Sequence, residues 1–200
     1  SGGTLTVNAA GDGLDSNGSV NMSGGTVIVN GPTDNGNGPL DYDGTFEISG
    51  GTLIAAGSSG MAQAPSTTSS QRSLGITFAT SQSAGTLVHV EDSAGNNVLT
   101  FAPAKSFSSV VVSSSLLKAG ETYTVSTGGT STGTEFDGLY TGGTYSGGTA
   151  YTTFEFSTSE ATTWIDSTGV TTAPSGTGGF GGGTGGDGPD RKSGVEAEGV

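Results

Sequence analysis

No cysteine occurs in these 200 residues, so no disulfide framework holds the fold. Positive charge is scarce as well. Lys and Arg total 5 against 18 Asp and Glu, the formal net charge is −13, and no basic residue precedes Arg72. A chain this acidic lacks the basic patch that nucleic acid requires. It is compatible with cations, and with an anionic polymer only where cations bridge the two. No apolar run is long enough to span a bilayer, so membrane insertion is not expected. No secretion signal opens the chain, and Ser1 falls in the middle of a repeat, which reads as a processed or truncated segment. Only 30% of the residues are hydrophobic, low for a globular enzyme. Two classes remain, a disordered chain or an all-β protein with thin cores and many turns.

What is present is a repeat. Ser-Gly-Gly-Thr occurs at Ser1–Thr4, Ser23–Thr26 and Ser49–Thr52, 22 and 26 residues apart, each time before a short apolar run. The second and third copies align further, with Leu14, Asp15 and Gly18 matching Leu40, Asp41 and Gly44, and Val20-x-Met22 matching Phe46-x-Ile48. Apolar residues alternate again after the glycines, as Leu5-x-Val7 and Val27-x-Val29. Period two means strands. Coils of this length with Gly-rich corners at positive φ predict a solenoid whose alternate side chains fill a narrow core. The fold class read from this pattern is all-β, a right-handed parallel β-helix followed by an antiparallel cap and a Gly-rich tail.

The chain divides into coils over 1–56, a loop over 57–73, an antiparallel β region over 74–166 and a disordered tail over 167–200. Met61 is the expected anchor of the loop. The hairpin-rich region, with alternating runs such as Leu74-x-Ile76-x-Phe78 and Leu87–Val90, is expected to cover the C-terminal end of the solenoid. The first coil is expected to present an open edge, a template for self-association.

Gly11–Val27, with its Gly-Asp-Gly-Leu-Asp-Ser-Asn-Gly string, resembles the coil signature of the bacterial carbohydrate-binding domain-containing proteins, secreted right-handed parallel β-helices. Ser83–Lys105 and Ser106–Val125 are similar to the C-terminal part of that family. The likeness covers about residues 1–166, judged from motifs at repeat spacing. It implies a pectate-lyase-like fold, secretion or a cell-surface location, calcium in the helix, and a polysaccharide partner such as cellulose or pectin. The chain departs from the family in lacking most of the N-terminal coils.

Three residue sets bear on chemistry. Asp12, Asp15, Asn17, Asp41 and Asp43 lie on Gly-rich turns with no basic residue nearby. Stacked coils would bring Asp15 beside Asp41, and hard oxygen ligands in loops suit Ca²⁺. Turn chemistry, in which Asp and Asn bond their own backbone, explains the same residues. For catalysis, Arg72, Lys105 and Lys118 lie outside the coils, leaving the coil face without a base, and His89 reads as a sheet residue. The chain is therefore read as a non-enzyme. For sugar binding, the aromatic and acidic residues Tyr42, Glu135, Asp137, Tyr140 and Tyr145 are the candidates, since flat rings and carboxylates suit sugar faces and hydroxyls. Phe154, Phe156 and Trp164 read as core.

Overall fold

The structure, a computed structural model, describes residues 2–174. Among them there is no helix, and fifteen strands form three sheets. The repeat copies stack as parallel strands. β1 (Thr4–Asn8) pairs with β3 (Val20–Asn30), which pairs with β5 (Phe46–Gly57), so that Leu5, Val27 and Leu53 lie in one row. β2 (Leu14–Ser16) and β4 (Leu40–Tyr42) form a separate parallel pair with Leu14 beside Leu40 and Asp15 beside Asp41. These registers are the offsets read from the sequence.

The Ser-Gly-Gly-Thr motif has a backbone cause. Its second glycine is left-handed in every copy, with φ of 80° at Gly3, 84° at Gly25 and 91° at Gly51. A Cβ on Gly51 would lie 2.5 Å from the Gly25 carbonyl oxygen, and one on Gly25 would lie 2.8 Å from that of Gly3. The motif is thus a column of stacked bends that divides β3 and β5 into two runs each.

The stack does not end at β5. β9 (Phe107–Ser113) pairs antiparallel with β5 on one side and with β6 (Ser73–Gln82) on the other. β6 then pairs parallel with β14 (Thr162–Asp166), and β14 antiparallel with β15 (Gly169–Thr171). The coil strands and four later strands therefore share one seven-stranded sheet. The second sheet has the order β11 (Thr134–Phe136), β12 (Leu139–Thr141), β8 (Asn97–Phe101), β7 (Val88–Asp92), β10 (Thr122–Ser131), β13 (Tyr145–Glu155), all antiparallel.

The region expected as a cap divides between the two sheets. The six-stranded sheet shares a core with the broad face of the first sheet, while β9 lies between β5 and β6 and carries that sheet past the parallel stack. Ile28, Ile54, Leu74, Ile76, Val110 and Val112 point to a core shared with Val88, Val90, Phe101, Tyr123, Val125 and Phe154 of the second sheet. The alternate residues Val29, Leu53, Ala55, Val111 and Trp164 point the other way, into a second core with Leu40, Phe46 and Ile48. Alternation places an apolar row on each face, and each buried Leu, Ile or Val contributes about 1.5–3 kcal/mol. Phe154, Phe156 and Trp164 are core residues, as expected.

The segment after β5 is ordered by hydrogen bonds to the edge of β5. Phe46 and Ile48 donate their N–H groups to the hydroxyls of Ser66 and Ser69, and Gln71 donates its N–H to the Ile48 carbonyl. Ala62 and Ala64 are the residues buried in the coil core there, whereas Met61 is only half-buried. The small side chains fit because the loop runs directly against the strand edge.

The predicted tail starts too early. Asp166 Oδ1 accepts from the N–H and hydroxyl of Thr168, Gly169 turns at φ 117°, and Gly169–Thr171 returns as β15. Asp-Ser-Thr-Gly is a turn signal, so a strand follows where a linker was expected. Residues 175–200, the rest of that reading, lie outside the described residues.

Candidate functional site

Three predicted sugar-binding residues meet in one place. A hollow of about 600 Å³ opens between the outer strands β1 and β3 and the β11–β12 hairpin, lined by Thr6, Asn8, Asn30, Glu135, Asp137 and Tyr140, with Ala102–Ala104 at its back. The hairpin turns on Asp137 (φ 48°) and Gly138 (φ 86°), the Asp-Gly pair that a two-residue turn with both φ positive prefers. Glu135 Oε1 accepts the Gly138 N–H at 2.5 Å, and Asp137 Oδ2 accepts the Thr6 hydroxyl at 2.7 Å. That second bond ties the hairpin to the first strand across 131 residues.

The sheet dictates why polar groups line this floor. Thr6 occupies the row that continues as Ile28 and Ile54, and those two are buried beneath the second sheet. At β1 the covering sheet thins out, and a hydroxyl stands where an isoleucine stands in the next two strands. Asn8 pairs in register with Asn30, whose Oδ1 accepts the Ala104 N–H at 2.8 Å. The asparagines were not among the candidates read from sequence. The signal was there, since Thr-Val-Asn at 6–8 repeats as Ile-Val-Asn at 28–30.

Lys105, read as lying outside the repeats, reaches the ends of the first strands. Its ammonium donates to the carbonyl of Ala9 and, at 3.4 Å each, to those of Asn30 and Gly31. These are carbonyls at the ends of β1 and β3. The pairing of β9 with β5 brings residue 105 there, which no local pattern reveals.

The other two aromatic candidates are engaged elsewhere. Tyr42 packs edge-on against Phe46, with centroids 5.8 Å apart, and donates its hydroxyl to the Ala64 carbonyl. Burial raises the pKa of its phenol. Tyr145 lies flat on His89, 3.9 Å between centroids and 13° between planes, and donates to the Gly128 carbonyl. His89 is a buried sheet residue, as read from the sequence, with Nδ1 2.8 Å from the Thr100 hydroxyl and Nε2 3.3 Å from Glu91 Oε2. Burial lowers its pKa, and the Glu91 carboxylate partly offsets this.

The five metal candidates lie on the β2–β4 edge and its turns. Asp15 and Asp41 are register partners, while Asp12 Oδ1 accepts the Gly38 N–H at 2.8 Å, turn-type chemistry between adjacent repeats. Asn17 and Asp43 are exposed. Among the described residues, no group of three or more Asp, Glu or His side chains is arranged to hold a metal ion. The edge is nonetheless under charge strain. The Asp41 carboxyl is pushed above its ordinary pKa, by burial first and then by Asp12, Asp15 and Asp43. The folded chain thus holds that proton more tightly than the unfolded chain, and ionisation costs stability as pH rises through the folded pKa. Asp41→Asn is expected to raise the melting temperature at neutral pH. Because the site is partly exposed and screened, the gain is about 0.5 kcal/mol, or about 1–2 °C. It should fade as pH falls through about 4 and vanish below about pH 3, where the carboxyl is protonated in both states. A melting series against pH that showed no gain at neutral pH would refute the repulsion.

No protein-family model, curated protein or solved structure matches this chain.

Proposed function

We infer that this chain is a non-catalytic binder of extracellular polysaccharide, at a cell surface or secreted, and that the Tyr140 hollow receives the glycan. One observation carries the reading, the convergence of Tyr140 with the amides of Asn8 and Asn30 and the carboxylates of Glu135 and Asp137 in a single open hollow. A ring beside fixed acceptors and amide donors suits a sugar, which offers a CH face and a rim of hydroxyls. Both carboxylates already accept hydrogen bonds, which suits fixed acceptors better than a proton donor. In this reading the rungs β1–β3–β5 and β2–β4 are coils of a right-handed parallel β-helix, supported by the equal offsets of both pairings. Ca²⁺ belongs to the proposal as an ion that neutralises the Asp12, Asp15, Asp41 and Asp43 edge, with Asn17 beside it.

The test is retention of the chain on insoluble cellulose, pectin and xylan, with Ca²⁺ and with chelator. Retention on one glycan is expected, weakened roughly tenfold in Tyr140→Ala, the effect of losing one central aromatic contact. No retention, or retention unchanged in that variant, defeats the reading. A second reading, assembly through the first strand, is favoured by the free edge of β1 and by Leu5, 46% exposed in the row that buries Leu53 completely. Light scattering that rises with concentration would support it.

A further inference from the structure

Three basic residues are described in this acidic chain, and two of them line the same hollow. Arg72 and Lys118 border a space of about 300 Å³ together with Ser49, Ser70, Gln71 and Ser115. It lies away from the Tyr140 hollow and shares no lining residue with it.

Neither cation has a carboxylate partner among the described residues. Among the described residues the one ion pair is His89–Glu91, although the sequence carries 18 carboxylates. Arg72 donates through Nη1 to the Ser157 and Glu160 carbonyls, and its guanidinium lies 5.5 Å from the centre of the Phe156 ring. Those contacts orient the group and, among the described residues, leave Nε and Nη2 without an acceptor. Lys118 donates to the Ser115 carbonyl at 2.5 Å, which accounts for one of its three N–H groups. Ser70 and Ser115 add hydroxyl groups to the lining. The hollow continues into a neighbouring one of about 360 Å³ through shared residues Ser49 and Ser70, toward Asn21, Ser23 and Glu47, whose carboxylate accepts the Thr68 hydroxyl.

We propose that the Arg72–Lys118 hollow is an oxyanion site that takes the carboxylate of a uronic-acid sugar within a longer acidic glycan. A planar guanidinium with free donors matches a carboxylate, an ammonium adds a point charge, and serine hydroxyls face the sugar ring. The adjoining trough has room for the next sugar. The net charge of −13 does not forbid this. Acids farther than about 8 Å are screened at physiological salt, and Glu47 borders the adjoining trough rather than the hollow, whereas the two cations act at contact. The chain thus meets an acidic polymer without a bridging cation, against the expectation from composition. The inference rests on the polysaccharide reading for the sugar, and on Arg72 and Lys118 alone for the anion.

The experiment titrates the whole chain with a short oligogalacturonate, with its neutral galactose counterpart and with inorganic phosphate. NMR shifts of Arg72 Nε–H and the Lys118 side chain report binding. The oligogalacturonate is expected to move both signals, and the neutral oligomer neither. Lys118→Gln, at an exposed position, should leave the melting temperature unchanged. It should weaken oligogalacturonate binding roughly tenfold, the effect of one lost charge-assisted hydrogen bond. Shifts with phosphate alone, equal shifts with the neutral oligomer, or no shift in any arm overturn the proposal. A Tyr140→Ala variant that binds glycan normally while Lys118→Gln does not would remove the Tyr140 hollow and leave this site standing.

Discussion

Gly75→Ala is expected to lower the melting temperature of this protein by about 6–10 °C, from a loss of about 2–3 kcal/mol. Gly75 is the register partner of Trp164 on the neighbouring parallel strand β14. The indole lies against its Cα, and a Cβ built there would sit 2.3–2.6 Å from three ring carbons. Real Cβ contacts do not come so close, so the indole or the strand has to move. Neither moves freely. β6 is held between β9 and β14, and Trp164 is buried in the coil-side core. Trp164 is the sole tryptophan, so its fluorescence reports the displacement directly. Placing Gly75→Ala in a Trp164→Leu background should recover much of the loss, because the clash has been removed. A melting temperature unmoved by Gly75→Ala, or a double variant no better than additive, would show that the ring does not rest on this glycine.

Lys105→Met should cost about 2 kcal/mol, the usual value of hydrogen bonds made by a charged group. Methionine keeps the apolar stem and removes the ammonium from the carbonyls of Ala9, Asn30 and Gly31. The Asn30 carbonyl retains the N–H of Ala9, but those of Ala9 and Gly31 lose the donor. At about 2–4 °C per kcal/mol, the melting temperature should fall by about 4–8 °C. The loss should be local before it is global. β1 is an edge strand, held on one side by β3 and at its end by Lys105. Amide exchange in Thr4–Asn8 is therefore expected to accelerate more than exchange in Val110–Val112, at the centre of the sheet. Uniform acceleration, or none, would refute the role of Lys105 as the clasp between the first strands and the later half of the chain. The variant also bears on the Tyr140 hollow, because Asn8 and Asn30 form its floor.

Much of the stack was legible because each rung repeats its instructions locally. The matches of Leu14 with Leu40 and Asp15 with Asp41 became register pairs. The second glycine of Ser-Gly-Gly-Thr became a left-handed bend three times over. The site was legible only in its second half. Glu135, Asp137 and Tyr140 stood together in one Gly-rich stretch, and a single hairpin presents them. Tyr42 and Tyr145 carried the same chemical label but were drawn into packing by Ala64, Phe46 and His89. A tyrosine serves equally in a core rim and in a binding loop, so residue type alone does not separate the two.

The sequence by itself determined an all-β chain, its parallel rungs, their register and the places where the backbone must bend. Those features arise from alternation, glycine conformation and a repeated spacing, all of which act over a few residues. The tertiary structure alone decided that β9 would lie between β5 and β6, that β14 would run parallel to β6, and that the second sheet would cover a face rather than an end. Those choices depend on which apolar rows fit together across long stretches of chain. The same long-range fit put Asp137 on Thr6, Lys105 on the ends of β1 and β3, and Arg72 with Lys118 around one hollow.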